Sequence, residues 1–276
     1  MALDINTNIS SLNAQRHLEE SGDALTTSLE RLSSGVRINN AYDDAAGLAI
    51  ADKLNRDARV AAQAIRNAND GISALSIGEK ALGNVSSILS RLSELASQSA
   101  SGSITDTQRS AIQNEFAALL SEIARISTVT TFNGVQLLSA GTTVALQVGL
   151  DGTSNSQINF TTVDGSVSGI LSVSQTSIAA STAASAQSAL GLLTSAIANV
   201  AQTRGVLGAA ESRLLQAVAN LRIAQENFQA AEGRIRDTDV AAETANLTRA
   251  SVLRQAGVAV LAQANQQPSL ALQLLR

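Results

Sequence analysis

The chain has 276 residues, with 23 acidic against 19 basic side chains, 45% hydrophobic but only 2% aromatic residues, and no cysteine. A net charge of −4 without any basic stripe argues against nucleic acid as a partner, and the missing cysteine excludes disulfides, thiolate metal sites and cysteine nucleophiles. A core without large aromatics must come from Leu, Ile, Val and Ala, the composition of helix seams, and a single proline leaves long helices uninterrupted.

The opening MALDINTNISSLNAQ has neither a basic n-region nor a continuous apolar core, so it does not read as a cleavable secretory signal. No run approaches the roughly 18 apolar residues of a transmembrane helix. Taken alone, these two features favour a cytosolic protein.

Leu18, Gly22, Leu25, Leu29, Leu32 and Val36 alternate by four and three, which predicts an amphipathic first helix. SGVRINNAYDD then reads as a turn, with Asp43 or Asp44 capping the next helix. That helix is predicted over 45–100, through Ala58, Ala61, Ile65, Ala68, Ile72 and Leu75, then Leu82, Val85, Leu89, Leu92 and Ala96. The two halves are out of phase by one residue near Gly78, as in a stammer. At 1.5 Å per residue the helix would be about 85 Å long, which implies a rod. SASGSITD breaks it, and Thr105 with Gln108 has capping-box spacing. Ile112, Phe116, Leu119, Ile123 and Ile126 predict a third helix folding back antiparallel.

The middle changes character. Val144, Leu146, Val148 and Leu150 alternate before Asp151-Gly152, and Ile158 and Phe160 alternate before Asp164-Gly165, predicting hairpins. Helix resumes from about 179. Between 207 and 235 the positions Leu207, Ala210, Leu214, Ala217, Leu221, Ala224, Phe228, Ala231 and Ile235 alternate strictly by three and four. Large side chains interleaved with alanines make this a seam for close helix contact, and a candidate self-assembly seam. RDTD marks a break, and a last amphipathic segment runs from 239 to the end, interrupted only at Pro268.

The expected fold is mainly α: a long antiparallel helical-bundle or coiled-coil rod with a small β-hairpin insert. Its expected domains are 1–44 with 236–276 as a terminal helical domain, 45–129 with 179–235 as the long-helix rod, and 130–178 as a small β-rich part of that rod. The terminal segments lack a second layer of their own, so they are expected to order on assembly.

The sequence assembles no catalytic constellation. Asp43 and Asp44 suit capping better than acid–base work. His17, the single histidine, has no nucleophile or ligand near it in sequence. DGTSNS at 151–156 lacks the Glu that completes an EF-hand, which leaves a turn. No phosphate fingerprint or triad spacing occurs, so neither a catalytic residue, a cofactor nor a metal is expected.

Three segments carry a resemblance. LSSGVRINNAYDDAAGLAIADKL (32–54) resembles the amino-terminal signature of bacterial flagellins, IARISTVTTFNGVQLL (123–138) their turn after the third helix, and RIRDTDVAAETANLTRASVLRQAGVAVLAQANQQPSLALQLLR (234–276) their carboxyl-terminal signature. The resemblance spans about 1–140 and 185–276, and implies outer variable domains that are reduced or absent here. It implies a structural subunit, not an enzyme, that polymerises into the helical flagellar filament for swimming. It also implies unfolded export through the type III apparatus, so a missing signal peptide does not keep the protein inside the cell. The partners implied are the chain itself, filament cap and hook-associated proteins, the export apparatus and a C-terminal export chaperone. A hook–filament junction protein of the same superfamily is the alternative.

Many flagellins contact a host innate immune receptor through a motif resembling Leu-x-Arg-x-Arg-Glu-Leu-Ala-x-Gln. Here Leu89, Arg91, Glu94, Leu95 and Gln98 match it, with Glu115 on the next helix, while Ser93 stands where a second arginine is common. The family also allows O-linked sugars on the Ser and Thr of 139–188.

Overall fold

The computed structural model describes residues 7–139, 141–171 and 179–274, of which 267–274 by backbone alone. Residues 1–6, 140 and 172–178 of the expected β-rich insert, and 275–276 of the carboxyl-terminal signature lie outside the described residues. Among the described residues, six helices, α1 (Ile9–Ser34), α2 (Ala45–Ala100), α3 (Asp106–Val129), α4 (Val167–Leu171), α5 (Ala183–Arg236) and α6 (Val240–Leu274), carry most of the chain. The strands among the described residues, β1 (Thr131–Phe132), β2 (Val135–Gln136), β3 (Thr143–Gln147) and β4 (Gln157–Thr161), form two antiparallel pairs. The chain is therefore mainly α with a small hairpin insert. It divides into two compact units, Met1–Arg56 with Asn227–Arg276, and Asp57–Glu226.

In the unit Asp57–Glu226, α2, α3 and α5 share one aliphatic core. Along α2 the buried positions Ala61, Ala64, Ala68, Gly71, Leu75, Gly78, Leu82, Val85, Leu89, Leu92, Ala96 and Ser99 alternate by three and four without a break. The expected phase slip near Gly78 is thus absent: Gly71 and Gly78 occupy seam positions that a search for apolar side chains passes over. A Cβ at Gly71 would overlap Leu146 of β3 and meet Leu214 Cδ1 of α5 at 3.3 Å, so the missing side chain lets both approach α2. Phe116, Leu120 and Ile123 of α3 are buried in the same core; Leu120, not Leu119, takes the deeper place. Thr105 and Gln108 cap α3 as their spacing predicts, the Gln108 side-chain Oε1 accepting from the Thr105 N–H at 3.0 Å. Arg109, buried beside this turn, donates from Nη2 to the carbonyls of Ser101 and Ile104, both at 3.0 Å.

The insert covers one part of that core. β1 and β2 join through Asn133 (φ 48°) and Gly134 (φ 80°), the two left-handed residues that a type I′ turn requires. β3 and β4 pair with Val144 opposite Phe160 and Leu146 opposite Ile158. Between them Asp151 organises the loop, accepting from the hydroxyls of Thr153 (2.8 Å) and Ser156. These hydrogen bonds hold the Asp151 carboxyl below the usual aspartate range, the Ser156 bond most of all. The second predicted hairpin does not form. Asp164 instead accepts from the Ser166 N–H at 3.0 Å and leads into α4, because Gly165 packs against Leu138 and its N–H donates to the Leu138 carbonyl.

In the unit Met1–Arg56 with Asn227–Arg276, α1 packs on α6. Gly35 (φ 74°) ends α1 in the left-handed conformation and its N–H closes on the Arg31 carbonyl. Asp44 caps α2 by accepting from the Gly47 N–H at 2.8 Å, while Asp43 accepts from the N–H groups of Asn39 and Asn40. Asp239 caps α6 through the N–H groups of Ala241 and Ala242. The α6 backbone stays helical through Pro268, so the expected interruption there is not a helix end: proline removes one donor without stopping the helix.

Candidate assembly surface

Two breaks that look independent in sequence meet in space. The Arg37 N–H donates to the Arg236 carbonyl, the Thr238 N–H donates to the Gly35 carbonyl, and Val36 bridges Asp237. Arg37 Nη2 adds a bond to the Ile235 carbonyl at 2.7 Å. The SGVRIN turn is therefore pinned to RIRDTD, fixing the end of α1 beside the start of α6. Glu232 accepts from Asn55 Nδ2 at 3.0 Å and tightens the same unit.

The α1 seam runs through Ser11, Ala14, Leu18, Ser21, Leu25, Ser28 and Leu32. It shares Leu18, Leu25 and Leu32 with the predicted stripe, but Leu29 is exposed. The small seam residues were invisible to an apolar pattern. Asn8 and Ser11 of α1 tie to Ala264 and Asn265 of α6, and Ser28 to Glu243, so the two helices run antiparallel. Little of α6 is covered by this. Val240, Val252, Leu253, Val258 and Val260 are all more than half exposed, as are Ile9, Leu12 and Leu29 of α1. Large apolar side chains exposed beyond the packed face of a helix call for a second cover; here one face has a partner. Beside the pair lies an open groove of about 760 Å³, lined by residues such as Ala24, Arg31, Asn246, Leu253 and Val260.

The predicted α5 seam is turned inward. In the unit Asp57–Glu226, Leu207, Leu214 and Leu221 are buried and Ala210, Ala217 and Ala224 half-buried, with Leu221 packed on Ala61 and Ala64 of α2. In the other unit Phe228, Ala231 and Ile235 are half-buried. The large apolar side chains of α5 that face outward are Val206, Leu215 and Ile223, positions that fall out of phase with the seam. That mismatch is the signal a strict seam search discards.

Of the residues matching the receptor motif, Leu89 and Leu95 are in the core and offer no surface. Arg91, Glu94, Gln98 and Glu115 are exposed. Arg91 donates to Glu115 at 2.9 Å and to Glu94 at 3.0 Å, and both carboxylates raise the guanidinium above its ordinary range, the Glu94 hydrogen bond first. His17 sits on the exposed side of α1 against Glu20. Among the described residues no group of three or more His, Asp or Glu could hold a metal, and no helix is long and apolar enough to cross a membrane.

Comparison with known proteins agrees with this architecture. Residues 5–143 match the model of the bacterial flagellin N-terminal helical region, and residues 190–275 that of the C-terminal helical region. The chain is 43% identical over 276 residues to a flagellin of Halalkalibacterium halodurans, covering 99% of both chains. It is 38% identical over 302 residues to the flagellin of Bacillus subtilis, again covering 99% of each. It is 37% identical over 282 residues to the flagellar filament 30.7 kDa core protein of Treponema maltophilum, covering 98% of this chain and 99% of that one. A crystal structure of Bacillus cereus flagellin superposes with a TM-score of 0.50 at 26% identity, covering 56% of this chain and 88% of that one. With both terminal helical regions matched and relatives aligned over their whole length, the chain belongs to the bacterial flagellin family, whose members are structural proteins of the flagellar filament.

Proposed function

We propose that this chain polymerises as identical copies into the helical flagellar filament, outside the cell, and there serves swimming. The observation that carries the reading is α6, which packs one face on α1 and leaves Val240, Val252, Leu253, Val258 and Val260 uncovered on others. Fully covering a Val, Leu or Ile contributes roughly 1.5–3 kcal/mol, so a neighbour seated on the half-exposed side chains of α1 and α6 gains several kcal/mol per contact. Copies joined head to tail by a rotation that does not close grow into a helix without limit. In this reading α1 and α6 form the terminal domain of the polymer and the segments 45–129 and 179–235 its surrounding layer.

Export through the flagellar type III apparatus in an unfolded state follows from the same reading, and a chain without cysteine carries no crosslink that would hinder threading. Before assembly, the uncovered faces of α6 call for a C-terminal chaperone; at the two ends of the polymer, hook-associated proteins and a cap meet the same surfaces. The exposed group of Arg91, Glu94, Gln98 and Glu115 is the part of the receptor motif left for a host innate immune receptor. One guanidinium fewer than usual in the motif removes a set of planar donors.

Electron microscopy of the purified full chain, seeded or salted into polymerisation, tests the proposal. Long helical tubes are expected. Discrete rings or short caps would instead favour the junction-protein alternative.

A further inference from the structure

Over residues 252–260 one uncovered flank of α6 is as rich in apolar side chains as the face packed on α1, with Arg249 at its leading end. The packed face carries Glu243, Leu247, Ala250, Gly257, Leu261 and Ala264. One flank of the same helix carries Val252, Leu253, Ala256, Ala259 and Val260, all exposed. Burial of apolar area alone does not choose between the two. The junction at Gly35 and Thr238 pins where α6 begins but not which face it turns. Polar groups make the difference. Glu243, 8% exposed, accepts from Ser28 Oγ at 2.5 Å, with Arg31 Nη1 at 4.0 Å from its second oxygen. At the far end Asn8 Nδ2 donates to the Ala264 carbonyl and Ser11 Oγ to Asn265 Oδ1, both at 2.8 Å. Turning the flank inward would strip Glu243 of its hydroxyl partner, and a single buried polar residue is known to fix helix pairing in this way, at a cost in stability.

We propose that Glu243, held by Ser28, selects the face that α6 turns to α1, and thereby keeps the Val252–Val260 flank free for a neighbouring copy. The second clause rests on the filament reading; the first stands without it. Glu243 and Ser28 are positioning residues in this account.

The absence of cysteine allows a direct test. A Cβ at Gly257 would lie 3.9 Å from the Cβ of Leu18, inside the roughly 3.5–4.5 Å that a disulfide needs. The pair Leu18→Cys with Gly257→Cys therefore reports the observed face. Leu18→Cys with Ala256→Cys, about 100° round the helix, reports the rotated one. Both pairs are oxidised in the full chain under polymerising conditions and in dilute solution, and links within one chain are separated by mass from links between chains. Without further change, the 257 link should exceed the 256 link by about tenfold or more, the factor that a modest free-energy preference gives. In a Glu243→Leu background that ratio should fall at least about fivefold, since leucine is indifferent to a hydroxyl partner. Ser28→Ala should move it the same way by less. An unchanged ratio in both backgrounds overturns the proposal. So does loss of both links, which would mean that the cluster holds the helices together without choosing a face. Filament formation by the unaltered chain is scored separately, so failure to polymerise sinks the assembly reading and leaves the crosslink ratio to judge face selection.

Discussion

Leu214 and Leu215 are adjacent on α5 and identical in chemistry, yet one is wholly buried and the other 53% exposed. Leu214 reaches into the space left by Gly71 on α2, so truncation to alanine leaves a cavity in the core of the unit Asp57–Glu226. Buried leucine-to-alanine changes cost about 2–5 kcal/mol. For a unit of this size each kcal/mol lowers the melting temperature by about 2–4 °C, so Leu214→Ala should lower it by about 10 °C. Leu215→Ala removes surface that only a neighbour can cover. It should leave the melting of the dilute subunit within about 0.5 kcal/mol of the parent. Covering the exposed half of a leucine is worth roughly 1 kcal/mol, so the subunit concentration needed for polymerisation should rise about fivefold. Calorimetry of the subunit and sedimentation of the seeded polymer separate the two. Equal destabilisation of the subunit by both changes would refute the division of α5 into an inward seam and an outward assembly face.

Gly78→Ala places a Cβ at ordinary contact distances of 3.8 Å from Leu207 and 3.9 Å from Leu137, so it should stabilise α2 by about 0.5–1 kcal/mol; Gly71→Ala, which overlaps Leu146, should gain nothing, and identical melting shifts would contradict this. Asp44→Ala removes the acceptor of the Gly47 N–H and should destabilise the first turn of α2 by about 1 kcal/mol, read as faster amide exchange there with α3 unaffected. The Asp151 carboxyl titrates below its usual range in the folded loop. Its contribution is therefore complete above the ordinary aspartate value of about 3.9 and is lost as pH falls through the lower folded value. The Thr153 amide should begin to exchange faster only in that acid window, and the dependence should vanish in Asp151→Asn.

Much of this architecture is legible in the chain because its signals are local. The three-four alternation places α1, α2, α3 and α5, Asp44 and Gln108 announce their caps, and alternation from Val144 to Phe160 finds β3 and β4. What escapes depends on contacts distant in sequence or on residues without apolar side chains. Gly71 and Gly78 hide the continuity of the α2 seam, and Ser11, Ser21 and Ser28 hide the true face of α1. Asp164-Gly165 reads as a hairpin until Leu138 is seen to occupy the space beside it. Asn133-Gly134 is a hairpin signal that alternation over such short strands does not reveal. The receptor-like motif mixes the core leucines Leu89 and Leu95 with surface charges, because one helix serves both sides at once. The pairing of Val36 with Asp237 joins segments at opposite ends of the chain, and no window of sequence contains both.

The proposed polymer requires that neighbouring copies bury the apolar side chains that α1 and α6 leave uncovered. The most direct measurement is electron microscopy, with sedimentation, of the full chain beside a chain lacking 1–44 and 236–276, both seeded under the same polymerising conditions. The full chain should grow into long tubes while the shortened chain stays soluble and folded. Tubes of equal length and resistance from the shortened chain would contradict the account.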